Sequence, residues 1–185
     1  MKKLFLLFLP LVLLPLHFVE AKSIASAGVV TMGQSSPTGL PVHIKIPKIN
    51  VNAIVESVGV TTAGIMDVPK QIADTAWYHF GTIPGEIGSA VIDGHSGTMN
   101  GVPAVFNDLK KLKIGDKVYI DDGTGTSTSF VVVGIKTFGA KDNTTSVFKS
   151  SDNVAHLNLI TCEYAVGKNK KSYYNRLIVF TNKEV

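Results

Sequence analysis

The chain has 185 residues, of which 45% are hydrophobic and 17% are charged, and its formal net charge is +4. This composition is typical of a globular protein and excludes an intrinsically disordered chain. Half of the net charge lies in residues 1–39, and the remainder has no basic stripe with interleaved aromatic residues. Nucleic acid is therefore not an expected partner.

The N-terminal segment has the pattern of an export signal. Lys2 and Lys3 precede an apolar run from Leu4 to Val19, which is the order of the n-region and h-region of a signal peptide. An uncleaved membrane anchor is the alternative, although the run is short for a spanning helix and contains two prolines. We therefore expect residues 1–21 to be a signal peptide or an N-terminal membrane anchor.

The rest of the chain is predicted to form a linker and one domain. Residues 22–39 are small and polar with glycine and proline, which predicts a flexible linker. Residues 40–185 have the length of a single folded domain. Because both interpretations of the N-terminus direct export, we expect this domain to be extracytoplasmic, either tethered to the membrane or released.

Short β-strands dominate the predicted domain. Apolar and polar residues alternate after Leu40 with a break at Pro47, and a Gly/Thr turn at 123–126 lies between two β-branched runs, which predicts a hairpin. Seven or eight strands with single-turn helices favour a closed barrel or a sandwich, and composition does not distinguish these two. Further strands are expected at 88–95, 156–162 and 175–182, with helical or turn-like pieces at 71–75, 105–109 and 146–149.

The only cysteine, Cys162, is predicted to end an apolar strand, and the only arginine, Arg176, is predicted to lie on the next strand. A lone cysteine is a buried residue, an intermolecular pairing site or a reactive thiol. A nearby cation lowers the pKa of a thiol, and arginine offers a rigid fork of donors that keeps its charge. If the two strands are antiparallel neighbours, Cys162 and Arg176 can act together on a carbonyl group.

A histidine would supply the acid and base for such chemistry. His95 ends a small-residue strand and has glycines nearby at positions 94 and 97, which predicts an accessible ring. The other histidines are interpreted as part of the signal segment, as surface or packing residues, or as distant from the cysteine: His17, His43, His79 and His156.

These residues together resemble the sortase family of cysteine transpeptidases. The segment "SAVIDGH" carries His95, "LITC" carries Thr161 and Cys162, and "NRLIVF" carries Arg176. The similarity extends from Leu40 to Asn182, and the segments around the histidine resemble the class F branch. The chain departs from the family pattern where a threonine is usual and from the class F pattern at two further positions: Asn158, Asp93 and Val102.

The resemblance implies an all-β fold, a closed eight-stranded barrel with short helices in its connections. It implies that Cys162 is the nucleophile, that His95 is the acid and base, and that Arg176 donates to the oxyanion and the substrate, while Thr161 contacts the substrate. The expected substrates are exported proteins with a C-terminal sorting motif of the Leu-Pro-x-Thr-Gly kind. The acyl acceptor would be an amine of a peptidoglycan precursor or of another protein.

Three alternatives differ from this interpretation. A catalytically silent envelope domain that binds peptide or glycan would be expected to lose one of the three residues, and all three are present. A peptidase of the same fold would mainly hydrolyse its thioester. An L,D-transpeptidase carries its histidine close to its cysteine, unlike His95 and Cys162. No cofactor is expected, and no metal site, because Asp142 and Asp152 are scattered carboxylates.

Overall fold

The computed structural model describes residues 39–166 and 172–185. The predicted signal peptide or anchor and nearly all of the predicted linker lie outside these residues. Within the described ranges, no helix is both long and apolar enough to cross a membrane. The strands are β1 (Pro41–Ile46), β2 (Val51–Val58), β3 (Thr75–Tyr78), β4 (Gly88–Gly94), β5 (Thr98–Met99), β6 (Val102–Pro103), β7 (Lys117–Asp122), β8 (Ser127–Phe138), β9 (Ala155–Val166) and β10 (Ser172–Lys183).

Eight of the strands close into a barrel in the order β1-β2-β3-β4-β9-β10-β8-β7, and β5 pairs with β6 in a separate two-stranded ribbon. Most neighbours are antiparallel, but β2 pairs with β3 and β4 pairs with β9 in parallel. The helical pieces are one α-helical turn, α1 (Thr145–Phe148), and two 3₁₀ turns, Pro47–Ile49 and Leu109–Lys111. The expected all-β, closed eight-stranded barrel is confirmed.

The barrel encloses the larger of two apolar clusters. Successive side chains of a strand point to opposite faces, so Ala90 and Ile92 of β4 face the interior, as do Leu157 and Leu159 of β9. The second cluster lies on the outer face, where Val91, Ile160 and Ile178 are covered by α1. Because α1 covers part of one outer face, β4 and β9 are buried on both sides there, and their sequences are correspondingly apolar.

The β7–β8 hairpin follows the prediction. The carboxylate of Asp122 accepts hydrogen bonds from the backbone of Gly39, Thr124 and Thr126, which fixes the turn. The hydroxyl of Thr124 donates to the same carboxylate, and these bonds lower the pKa of Asp122 to about 2.

The strands differ from the expectation in their number and in their length. The strand β3 was not predicted, because its four residues are too few to show a period; the turn expected before it is present at residues 71–74. The strands β9 and β10 are longer than expected and stay paired from Asn182↔His156 to Ser172↔Val166. As a result, Cys162 lies inside a strand rather than at its end.

Candidate active site

Cys162 is exposed although it lies within β9. Cys162 is exposed because β9 loses one of its two neighbouring strands near this position. The parallel pairing of β4 with β9 runs only as far as Asp93↔Ile160, and α1 covers the outer face only up to Ile160. Within the described residues, β9 has β10 as its neighbour beyond that point but no strand on the other side, so the thiol at position 162 reaches solvent.

Arg176 lies directly opposite Cys162 across the β9–β10 pair. Alternation places both side chains on the outer face, because Thr161 and Leu177, the next residues on each strand, are buried. Opposed residues of an antiparallel pair have Cβ atoms about 4.5–5.5 Å apart. The expected neighbourhood of the two residues is therefore confirmed, whereas their catalytic roles stay predictions.

His95 follows the last residue of β4 and is held by its backbone and its ring. Its carbonyl accepts from the amide of Phe106 (2.9 Å), and its Nε2 donates to the carbonyl of Pro69 (2.9 Å). A carbonyl only accepts, so the neutral ring carries its proton on Nε2 and leaves Nδ1 as the proton acceptor. Within the described ranges, His95 makes no hydrogen bond to the thiol of Cys162.

The glycines beside His95 have different purposes. A Cβ atom on Gly94 would lie 2.5 Å from the ring of Phe106, so glycine is required by the close packing of that ring. Gly97 has a φ of 86°, which is the left-handed conformation that glycine adopts without strain. Only the second of these glycines therefore shapes the turn after His95.

Two hydroxyl groups connect the histidine segment to the cysteine strand. Thr161 Oγ1 donates to the carbonyl of Gly94 (2.6 Å), and Ser96 Oγ donates to the carbonyl of Cys162. Thr161 is 2% exposed, so its hydroxyl is used inside the protein, and its predicted contact with substrate would come from its main chain. Sequence reasoning missed Ser96, since a serine after a histidine carries no signal by itself.

Two grooves meet at Cys162. The first has a volume of about 370 Å³ and places Cys162 beside Asp93 and Arg176. The second has a volume of about 360 Å³ and places Cys162 beside Ser96 and Glu163. A thiol shared by two grooves is accessible from both sides. The first groove is otherwise lined by the loop after β2, by α1 and by the outer faces of two strands: Gly64, Ile65, Met66, Val68, Thr144, Val147, Phe148, Ile160 and Ile178.

Comparison with protein-family models finds a sortase domain that matches residues 44–184. The chain belongs to the sortase family. Comparison with the curated protein sequences finds no significant match.

The sortase also resembles solved structures. Sortase A from Corynebacterium diphtheriae is 24% identical with a TM-score of 0.59; the alignment covers 79% of this chain and 61% of that one, so the chain spans less than two thirds of its length. Sortase C-1 from Actinomyces oris is 24% identical with a TM-score of 0.61, with coverages of 78% and 75%. A sortase D5 transpeptidase from Clostridium perfringens is 23% identical with a TM-score of 0.56, with coverages of 78% and 79%. These likenesses support the fold, and the class F assignment stays a prediction.

Asn158, where the sortase departs from the family pattern, connects β9 to α1. Its Nδ2 donates to the carbonyl of Val147 (2.6 Å), and the side chain is 2% exposed. Because Val147 and Phe148 of α1 line the first groove, this hydrogen bond fixes one wall of the groove.

Replacing Asn158 with alanine is expected to lower the free energy of unfolding by about 1–3 kcal/mol, because the carbonyl of Val147 loses its partner in a buried place. Chemical denaturation measures this change. Asn52, exposed on β2, is the matched control, and its replacement by alanine should change stability by at most about 0.5 kcal/mol. Equal effects of the two substitutions would contradict the structural role of Asn158.

Asp93 is the second residue at which the chain departs from the expected pattern, and the structure shows its surroundings. Burial raises the pKa of this carboxyl group to about 6, against the opposing charges of His95 and Arg176 and a hydrogen bond from the amide of Gly94. The sequence showed that the residue is unusual, whereas the structure places it in the same groove as Cys162.

Two other described histidines have polar partners outside the two grooves. His156 bonds through Nδ1 to Asn182 (2.8 Å) and through Nε2 to Asp152 (2.9 Å), which lowers the pKa of Asp152. His79 lies near the hydroxyl of Ser57 (3.3 Å) and is exposed. Among the described residues, no group of acidic, histidine or cysteine side chains is arranged to hold a metal ion.

Proposed function

We propose that this sortase is a thiol-dependent transpeptidase that acts on exported proteins at the cell envelope. Cys162 attacks the carbonyl carbon of a peptide bond within a Leu-Pro-x-Thr-Gly-like motif. The C–N bond breaks, the leaving amine takes a proton, and a thioester joins Cys162 to the substrate. An amine then attacks the thioester, a new amide bond forms and the thiol is regenerated.

The single observation that carries this proposal is the pairing of the exposed Cys162 with Arg176 at the point where two grooves meet. A transpeptidase has to admit an acyl donor and an amine acceptor to one reacting atom. The first groove is the more apolar and suits the Leu-Pro part of a sorting motif. The second offers polar groups, including the carboxylate of Glu163, to an incoming amine.

His95 is proposed to protonate the leaving amine and to accept a proton from the incoming one. Its support is the bond from Nε2 to the carbonyl of Pro69, which orients the ring and leaves Nδ1 free for proton transfer. Arg176 is proposed to donate to the oxyanion. Within the described residues its guanidinium makes one hydrogen bond, to the carbonyl of Asn175 (3.3 Å), so its remaining donors are available.

The N-terminal segment supports the proposed location. An export signal or anchor in residues 1–21 would deliver the domain to the outer side of the membrane, where exported proteins carry their sorting motifs. The acceptor is proposed to be an amine of a peptidoglycan precursor or of a second protein.

A peptide assay with the full chain in detergent tests the function. Fluorescent peptides of the Leu-Pro-x-Thr-Gly kind are incubated with the protein, with and without an amine, and the protein mass is followed. We expect cleavage, a protein–peptide thioester, and an amide product when the amine is present. Hydrolysis without transfer would support the related peptidase function instead.

The single cysteine provides a control for this assay. Because Cys162 is the only thiol of the chain, iodoacetamide alkylates one thiol only. Alkylated protein should neither cleave the peptides nor gain their mass. If the untreated protein behaves like the alkylated protein, the proposed function is wrong, and a silent binding domain becomes the better interpretation.

Arg176→Lys tests the oxyanion role. Lysine keeps the charge but lacks the planar fork of donors, so kcat is expected to fall about 10²-fold or more, as it does when one oxyanion donor is removed. Because Arg176 is exposed, the thermal unfolding temperature should stay close to that of the parent protein. Near-normal turnover in the lysine variant would remove the oxyanion role from Arg176.

A further inference from the structure

The first groove contains a carboxylate that the proposed mechanism does not use. Asp93 lies on the outer face of β4, because its neighbours Ile92 and Gly94 are buried and the interior face belongs to Ile92. Across the parallel pair its register partner is Ile160, another lining residue of the groove. The carboxylate is therefore on the same wall as the proposed nucleophile, Cys162.

The carboxylate of Asp93 has few hydrogen-bond partners within the described part of the protein. Its carboxylate accepts a hydrogen bond from the adjacent amide of Gly94, and among the described residues it forms no direct ion pair with Arg176 or His95, whose charges act on it from a greater distance. A carboxylate has about four acceptor positions, so most of its capacity is open. Other lining residues beside it, such as Val68 and Ile178, are apolar and cannot donate.

An ionised carboxylate in an apolar groove opposes folding unless it gains a partner. The open acceptor positions face the groove that the acyl donor is proposed to occupy. A positively charged side chain of the donor would satisfy them by donating hydrogen bonds to the carboxylate.

We propose that Asp93 is a specificity-determining residue that selects a basic side chain, lysine or arginine, at the variable position of the acyl-donor motif or at a position that flanks the motif. This inference rests on the proposed function. Asp93 binds the side chain of the donor and takes no part in bond making or breaking.

The titration of Asp93 gives this selection a pH dependence. The groups that face it are His95 from the segment after β4, Cys162 from β9 and Arg176 from β10; its partner on β3, Ala76, is uncharged, and α1 and the loop after β2 contribute no ionisable lining residue. Since burial raises the pKa of Asp93 to about 6, the group is neutral below that pH and ionised above it. The preference for a basic side chain should therefore appear as pH rises through about 6.

The experiment compares peptide pairs with the full chain in detergent. Each pair carries lysine or Nε-acetyl-lysine at the variable position of a Leu-Pro-x-Thr-Gly peptide or at a flanking position, and kcat/KM is measured from pH 5 to 8. The ratio of the two values cancels every pH effect that both peptides share. At one position or more, we expect kcat/KM for the lysine peptide to exceed that for the acetyl-lysine peptide about fivefold or more at pH 8, as for a moderately strong ion pair. This ratio should fall towards one at pH 5.

Asp93→Asn removes the charge and keeps the shape. In this variant the ratio of kcat/KM for the lysine and acetyl-lysine peptides is expected to be close to one at every pH. Asp67→Asn is the matched control, because Asp67 lies between two lining residues of the groove but is not itself a lining residue, and the ratio should keep its pH dependence in this variant. The pH dependence of the parent protein tests the inference even if Asp93→Asn fails to fold.

The outcomes separate the two proposals. If the parent protein cleaves none of the peptides, the proposed function fails and the inference fails with it. If the parent cleaves lysine and acetyl-lysine peptides equally, or if Asp93→Asn keeps the preference, the proposed function stands and the inference is wrong. An equal loss of kcat for all peptides in Asp93→Asn, without a preference in the parent, would assign Asp93 to the positioning of Arg176 and would also overturn selection.

Discussion

Replacing Cys162 with alanine is expected to reduce peptide cleavage and transfer to the background of the assay, a loss of at least about 10³-fold in kcat/KM. The reason is chemical, because a methyl group cannot form the thioester through which both half-reactions pass. Cys162 is exposed and makes no contribution to either apolar cluster, so the free energy of unfolding should change by at most about 0.5 kcal/mol. Loss of activity with retained stability would distinguish a nucleophile from a structural thiol.

Cys162→Ser refines the same experiment. Serine preserves the size of the side chain and has a hydroxyl of much higher pKa, and the cation of Arg176 cannot lower it enough to give an anion at neutral pH. The serine variant should therefore be about as inactive as the alanine variant. Ser151→Ala, exposed and outside the lining of both grooves, is a control that should keep full activity. More than about a tenth of the parent activity in Cys162→Ala would contradict the proposed mechanism.

Cys162 is exposed for a reason that the sequence pattern does not show. The sequence placed Cys162 at a strand end, because the apolar pattern stops there. The structure continues the strand to Val166 and ends the pairing with β4 at Ile160 instead. Exposure therefore comes from the loss of a lateral neighbour, and parallel pairing between strands far apart in sequence leaves no local signal.

The placement of Asp93 could be predicted only in part from periodicity. Successive side chains of a strand face opposite sides, so Asp93 faces away from Ile92, but Ala90, Val91 and Ile92 are all apolar and do not show which face is the interior. What lies on that opposite side could not be predicted, because α1 and the loop after β2 come from other parts of the chain. The same limit applies to Pro69. Its backbone carbonyl orients His95, and a pattern of side chains does not reveal a backbone contact.

The loop between β2 and β3 joins the groove to the histidine. Its residues Ile65, Met66 and Val68 line the first groove, and the following residue, Pro69, accepts the hydrogen bond from His95. A peptide that binds against this loop therefore contacts the segment that orients the ring.

Replacing His95 with alanine is expected to lower kcat about 10²–10⁴-fold, the usual contribution of a positioned acid and base. Both half-reactions should slow, because one needs a proton on the leaving amine and the other needs a proton taken from the acceptor. Single-turnover measurements of thioester formation and of amine transfer separate the two steps.

Chemical rescue distinguishes this role from a structural one. His95→Ala leaves a space near the carbonyl of Pro69, and free imidazole added to the assay should restore part of the lost rate in proportion to its concentration. A histidine that only stabilised the turn after β4 would lower the unfolding temperature and would not respond to imidazole. His79→Ala is the matched control, because His79 is exposed and lines neither groove, and its activity should equal that of the parent. His95 is held by a backbone carbonyl rather than a carboxylate, so the alanine variant loses the oriented ring and its free Nδ1 together.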